Sequence, residues 1–271
     1  MKRYSTVLTI AGSDSGGGAG VQADIKTISA CGCYAASAIT AITVQNTLGV
    51  TDVHPVPVNI LSGQIEAVLS DIGADAVKIG MLHSSEVVKA VAAKLSEHKM
   101  TNIVLDPVMV STSGHKLIED SAIETLMEVL IPMARVITPN IPEAEILLGG
   151  RKLSCQDELP EAARALAGKF GVSVLLKAGH LTEDRLVDIF YDNETGTLNY
   201  LPSVRIYTKN THGTGCTMSS AFASMLAKGL DLPAAAEAAK NYINDAIVAG
   251  AEYEIGHGFG PVCHFHKLWK A

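Results

Sequence analysis

The residues whose types and spacing could do chemistry concentrate in the octet Asn-Thr-His-Gly-Thr-Gly-Cys-Thr at positions 210–217. Gly213 and Gly215 remove side chains where a backbone can approach a ligand closely. An apolar, small-residue helix is expected to start near Thr214. Its first N–H groups then lack intrahelical partners and carry partial positive charge, which makes an anion site. Cys216 sits in that first turn, where a thiol is expected to be drawn toward thiolate. A titratable group inside an anion cradle points to phosphate chemistry. A Gly-rich turn entering a buried helix, with a core cysteine, explains the same eight residues, so the octet alone leaves both readings open.

Other candidate groups follow runs that read as strands. Residues 6–10 form a β-branched run, then come ten residues from Ala11 to Gly20 with five glycines, then a helical pattern. Strand, glycine loop and helix is a ligand-binding arrangement of α/β folds. Gly18-x-Gly20-x-x-Ala23 matches the loose dinucleotide fingerprint. The next strand, near 36–44, carries no acidic residue to hold a ribose, and none occurs between Asp24 and Asp52. No Gly-Lys-Ser/Thr follows the glycines, which excludes a Walker loop. The loop instead lets a small molecule sit against backbone, with Asp24 one turn inside the helix as a polar anchor or as a solvated carboxylate. Gln45 ends the second strand and both donates and accepts, which suits a heterocycle edge; a water-facing amide is the alternative. Asp106 ends the strand at 102–105, where Mg²⁺ or phosphate chemistry could use it. Lys177 ends the strand at 172–176 and could neutralise phosphate as a point charge. Asn140 and Glu143 have the spacing of a helix cap and its partner.

These groups need a frame, and the periodicity supplies one. Further strands are expected at 76–79 and 136–138, and helices at 57–69, 84–95, 121–130, from Asn140, and through the stripe Leu159, Ala163, Leu166 and Phe170. Ser154 to Asp157 reads as a capping box for the last of these. From Arg185 the grammar changes to antiparallel strands, 188–191 and 198–207, around a turn at 193–196. Two Ala-rich helices, 214–228 and 232–249, follow. The chain reads as one domain, 1–271.

Composition sets bounds. With 271 residues, 48% of them hydrophobic and only 5% aromatic, Ala, Val, Ile and Leu must fill the core, as in helices packed on a parallel sheet. The net charge of −7 argues against nucleic-acid binding through a basic face. Charged residues break every apolar run short of membrane-spanning length, and the N-terminal segment reads as a strand, not a signal peptide. Five cysteines without a framework spacing or a CxxC point to a reducing cytoplasm. His257, Cys263, His264 and His266 match no common zinc spacing, and Cys31 and Cys33 read as core.

Several blocks together resemble one family closely. Residues 12–24, 43–47, 78–82, Asp106-Pro107-Val108-Met109, Thr138-Pro139-Asn140 with Glu143, 210–217 and 256–266 look like the hydroxymethylpyrimidine and phosphomethylpyrimidine kinases of thiamine biosynthesis. The resemblance covers essentially the whole chain, in order. It implies a ribokinase-like fold: a three-layer αβα sandwich with a mostly parallel central sheet. It implies ATP-dependent phosphorylation of 4-amino-5-hydroxymethyl-2-methylpyrimidine to the monophosphate and then the diphosphate, with Mg²⁺, in a homodimer. By the same resemblance Gln45 and Asp24 would read the pyrimidine, and Gly12, Val44 and Met81 would line its pocket. Lys177 and Thr211 would bind ATP. Asp106, Asn140 and Glu143 would organise the metal, and Gly213, Thr214, Gly215 and Cys216 would do the catalysis. Most of the wider superfamily has an aspartate where this chain has Cys216, so a lowered thiol pKa and a base role are expected there. Pyridoxine/pyridoxal kinase is the neighbouring alternative, and a non-catalytic pyrimidine or nucleotide sensor on the same scaffold the more distant one.

Overall fold

The computed structural model describes residues 2–109 and 118–269. Its strands are β1 (Thr6–Asp14), β2 (Tyr34–Asn46), β3 (Gly49–Pro55), β4 (Ala76–Ile79), β5 (Ile103–Leu105), β6 (Val136–Ile137), β7 (Ser173–Leu176), β8 (Arg185–Asp192) and β9 (Thr197–Val204). They form one sheet in the order β3-β2-β1-β4-β5-β6-β7-β8-β9. The six strands from β2 to β7 in that order run parallel. The edges, β3 on one side and β8–β9 on the other, are antiparallel.

Strand alternation sorts the sheet's side chains onto two faces. Leu8, Ile10, Val77, Ile79, Ile103 and Leu105 face α2 (Val58–Ala67), α3 (Ser85–Glu97), α4 (Asp120–Thr125), α5 (Ile141–Leu147) and α6 (Leu159–Phe170). Val7, Val104, Val136 and Leu175 face α1 (Gly20–Ala30), α7 (Thr214–Ala227) and α8 (Leu232–Gly250). This is the three-layer αβα sandwich with a mostly parallel sheet that the resemblance implies.

The departures from the sequence reading have local causes. β1 runs on to Asp14, because Ser13 and Asp14 pair with Ile42 and Thr43 past an irregularity at Gly12. β3 has no counterpart among the expected strands: only Val50 in it is buried, so it shows no alternation, and it ends in a proline on the sheet edge. The helices at 57–69 and 121–130 both finish in a π-turn, Val68–Ile72 and Leu126–Leu130. The expected capping box at Ser154 is displaced by one residue. Glu158, not Asp157, closes it, accepting from the amides of Ser154 at 2.6 Å and Cys155 at 3.2 Å.

After α8 the chain returns across the sheet's carboxyl end. The Phe259 amide donates to the Thr47 carbonyl at 2.8 Å, and the His212 amide donates to the Gly260 carbonyl at 3.0 Å. This crossing ties the end of β2 to the loop that enters α7. Among the described residues no group of three His, Cys, Asp or Glu side chains converges as a metal-ligating set, in this tail or elsewhere.

Candidate active site

A cleft of about 660 Å³ opens at the carboxyl ends of the parallel strands, where open α/β sheets bind ligands. One end is lined by Gly12, Ser13 and Asp14 after β1, Thr43 and Gln45 of β2, and Met81 after β4. The other is lined by Gly179 and His180 after β7, Arg205 and Ile206 after β9, and Ile243 and Ile247 of α8. Asp106, Asn140, Glu143 and Lys177, which follow the central strands β5, β6 and β7, lie between the two ends with Thr211 and residues 213–216. The strand order alone places them so, because β5 and β6 separate β2–β1–β4 from β7–β8.

The start of α7 is built to stay open. Gly213 is its N-cap and offers no side-chain cap; the Thr214 amide donates to the Thr211 carbonyl at 3.3 Å, and no side chain caps the amides of Gly215 and Cys216. Gly213 adopts φ +79°, and a Cβ there would stand 1.8 Å from the Gly18 carbonyl oxygen. No other residue fits. Gly215 faces the central polar groups: a Cβ there would lie 3.2 Å from Asp106 Oδ2 and 3.3 Å from Lys177 Nζ. The positive end of the helix is thereby held directly over an ion pair.

Lys177 Nζ donates to Asp106 Oδ1 at 2.8 Å, and Thr138 Oγ1 donates to the same oxygen at 2.9 Å. Burial pulls the Lys177 ammonium down, but Asp106 and Glu143 outweigh it and keep its pKa above the ordinary value. Glu143 is pushed up to about 7, chiefly by burial, with Lys177 drawing it down and Asp106 adding to the rise. Asn140 and Glu143 form the expected capping box at α5. Asn140 Oδ1 accepts from the Glu143 amide at 2.9 Å, and Glu143 Oε2 accepts from the Asn140 amide at 2.8 Å. Asn140 thus fixes Glu143 at the wall of the cleft while itself lining it.

Three expectations need correcting. Asp24 does not line the cleft. It is fully buried, and its oxygens accept from Thr9 Oγ1 (2.6 Å), Ser220 Oγ (2.7 Å) and Lys78 Nζ (2.9 Å). Val44 points away: strand alternation puts Thr43 and Gln45 on the cleft side and leaves Val44 58% exposed on the other. The Cys216 thiol is raised, not lowered, to about 11. Burial dominates; Lys78 draws the thiol down, and Asp24 and Asp106 push it further up.

A family model described as phosphomethylpyrimidine kinase matches residues 14–263. The chain belongs to the phosphomethylpyrimidine kinase family. It is 49% identical over 263 residues to a hydroxymethylpyrimidine/phosphomethylpyrimidine kinase of Rhizobium meliloti, covering 97% of this chain and 98% of that one. The crystal structure of phosphomethylpyrimidine kinase from Clostridium difficile is similar at 42% identity with a TM-score of 0.78, covering 89% of this chain and 99% of that one. A pyridoxal kinase from Staphylococcus aureus, in complex with AMP-PCP and pyridoxal, superposes with a TM-score of 0.89 at 33% identity, over 98% of this chain and 96% of that one.

The cleft also rests on residues that the sequence reading passes over. Asp14 is 1% exposed and accepts from the amides of Gly16 (2.8 Å), Gly18 (3.0 Å) and Ala19 (2.8 Å). Burial pushes its carboxyl up, yet the bond from His212 and these amides hold it below the usual range. His212 Nε2 lies 2.9 Å from Asp14 Oδ2, joining the glycine loop to the loop before α7. An aspartate followed two residues later by glycine is an Asx-turn signal that could have marked Asp14. Lys240 of α8 is the second omission: its Nζ donates to buried Asp188 at 2.7 Å on the wall of the far end. Its place on the apolar stripe of α8, four residues after Ala236 and three before Ile243, is the signal that could have marked Lys240.

Proposed function

We propose that this kinase transfers the γ-phosphoryl group of ATP to the hydroxymethyl oxygen of 4-amino-5-hydroxymethyl-2-methylpyrimidine, and then a second phosphoryl group to the monophosphate, for thiamine biosynthesis. The observation that carries the reading is the uncapped start of α7 standing over the Asp106–Lys177 pair, midway between the two ends of one cleft. A phosphoryl group in transit needs charge neutralisation at that midpoint more than covalent help. The amides of Gly213, Gly215 and Cys216 meet its oxygens as charge builds, and Lys177 adds a fixed cation. Gln45, Gly12 and Met81 hold the pyrimidine at the near end. Thr211 and Lys177 hold the ATP phosphates, and the apolar wall of Ile206, Ile243 and Ile247 takes the base.

Mg²⁺ fits the donor set. Asp106 and Glu143 are hard oxygen ligands beside the phosphate path, and Mg²⁺ is usually held by one or two carboxylates together with substrate phosphates. Bound there, the ion would supply further neutralisation of the phosphates. With its thiol pushed up to about 11 at the wall of the cleft, Cys216 is assigned the role of a relay. Its sulfur takes the hydroxyl proton as its own proton passes to an oxygen of the transferred phosphoryl group. The new O–P bond forms while the bond to ADP breaks. We place the enzyme in the cytoplasm as a homodimer; the exposed Ile42, Val44 and Leu48 on and beside β2 offer an apolar face for the second copy.

Pyridoxal kinase activity is the second reading, favoured by the close superposition on the Staphylococcus aureus enzyme. One assay tests both. ADP and phosphorylated products are followed with ATP and the pyrimidine alcohol, its monophosphate, or pyridoxal. A higher kcat/KM for the pyrimidine alcohol, with diphosphate formed from the monophosphate, is expected. A higher kcat/KM for pyridoxal reverses the assignment.

A further inference from the structure

The near end of the cleft contains an amide whose two ends are distinguished by its neighbours. The structure places Gln45 Nε2 3.4 Å from His212 Nε2 and Gln45 Oε1 3.0 Å from Thr43 Oγ1. Oxygen and nitrogen exchange places on a half-turn of the amide, so the neighbours decide which is which.

His212 Nε2 is 2.9 Å from a carboxylate oxygen of Asp14, which only accepts. The proton of that contact must therefore sit on Nε2. An N–H facing Asp14 is also a donor toward Gln45, so the Gln45 amide takes the half-turn that sets its carbonyl oxygen beside it. Thr43 leads independently to the same result. Its hydroxyl has one proton, and the Ser13 carbonyl takes it at 2.8 Å. The Thr43 oxygen is left to accept, which requires the Gln45 NH₂ on that side. Two neighbours on different elements thus impose one polarity.

The imidazole is itself clamped. A Cβ at Gly18 would stand 2.4 Å from His212 Cδ2, and the His212 amide is held by the Gly260 carbonyl at 3.0 Å. Asp14 is fixed in turn by three amides of the glycine loop.

We infer that Asp14 and His212 lock the Gln45 amide with its oxygen toward His212 and its NH₂ toward Thr43, which makes His212 a positioning residue for substrate specificity. The lock leaves Gln45 one free N–H and one free carbonyl lone pair for the ligand. A donor beside an acceptor complements a ring edge that itself pairs an exocyclic amine with a ring nitrogen. A ring whose matching edge carries only donors or only acceptors leaves one Gln45 group unpaired. The inference rests on the reading of Gln45 as the group that meets the pyrimidine.

The test is a double-mutant cycle on KM for the pyrimidine alcohol, using Gln45→Ala, His212→Leu and the pair, with His212→Gln as the conservative variant. Thermal unfolding and KM for ATP are recorded for each. His212→Leu should raise KM for the alcohol about tenfold, the scale of one oriented hydrogen bond. Its kcat and KM for ATP should stay within threefold. His212→Gln keeps an N–H close to the Nε2 position and should recover most of the loss. In the Gln45→Ala background His212→Leu should have no further effect. Additive effects with Gln45→Ala still raising KM overturn the lock and leave the Gln45 reading standing. No effect of Gln45→Ala overturns both. Equal losses in His212→Leu and His212→Gln, tracking the melting temperature, reduce His212 to a structural role and overturn the inference.

Discussion

Lys78 and Asp24 form an ion pair whose side chains are both completely buried, with Nζ 2.8 Å from Oδ1 and 2.9 Å from Oδ2. The pair joins β4 to α1, and Ser220 of α7 completes it. Gly80 makes the room, since a Cβ there would stand 2.8 Å from Lys78 Nζ. Removing one partner strands a charge in the core, which typically costs about 3–5 kcal/mol. Asp24→Ala should therefore lower unfolding stability by about that amount, as read by urea denaturation. A pyrimidine-binding role predicts a different signature, a raised KM at unchanged stability. That result would restore Asp24 to the substrate site.

Gly213→Ala tests the open helix start. The residue would need φ near +79° and would put a methyl carbon 1.8 Å from the Gly18 carbonyl oxygen. Either the glycine loop or the first turn of α7 must shift, and the amides lose their aim. Turnover should fall by at least about a hundredfold, on the scale of losing one preorganised oxyanion donor. Steady-state kinetics on folded protein decide it. Turnover within a few-fold of the parent enzyme would show that the amides of this turn carry little of the charge.

Cys216 separates a relay from a thiolate base. With the thiol raised to about 11, alkylation by iodoacetamide in the ligand-free enzyme should be slow at pH 7.5 and accelerate above pH 9. Cys216→Ala should lose about 10²–10⁴ in turnover, the usual range for proton-transfer catalysis. A hydroxyl can relay as well, so Cys216→Ser should retain clearly more. Fast alkylation at neutral pH, or equal losses in the two variants, would return Cys216 to the thiolate role.

His264 sets an acid limb on stability. Burial, with smaller contributions from Lys26, His212 and His266, lowers its pKa from 6.5 to about 4. In that window the unfolded chain binds a proton that the folded chain refuses, so stability is full above pH 6.5 and falls as pH drops toward 4. Asp14, depressed below its ordinary value of 3.8, acts with the same sign at lower pH. His264→Leu should flatten the fall between pH 6.5 and 4.5 in urea titrations. An unchanged slope would assign the acid sensitivity to other groups.

Which features could be read from the chain follows from the range of the interactions that make them. The strand cores, the turn at 193–196 and the Asn140–Glu143 capping box depend on neighbours a few residues away, and periodicity or spacing reveals them. Gln45 was legible because it ends a strand, while Val44 was misplaced although alternation alone assigns it to the opposite face. Asp14 and His212 are 198 residues apart in sequence, and Lys78 and Asp24 are 54 apart. No local pattern joins such pairs, and only the folded sheet brings them together. The Cys216 thiol was misjudged for a related reason. Its helix terminus is visible in sequence, whereas the desolvation that raises it and the Asp24 and Asp106 carboxylates beside it depend on the folded cleft.

The return of residues 256–260 across Thr47 and His212 has a consequence for the order in which the molecule is finished. Chains are made from the N-terminus, and folded structure accumulates in that direction. By the time α8 has emerged, all the strands and α-helices of the described residues have been made. The segment that pins the β2 end to the α7 entry loop has not. The cleft is thus closed by a part of its frame delivered after α8, so a chain that has reached only α8 owns the sheet but not the crossing that ties β2 to the α7 entry.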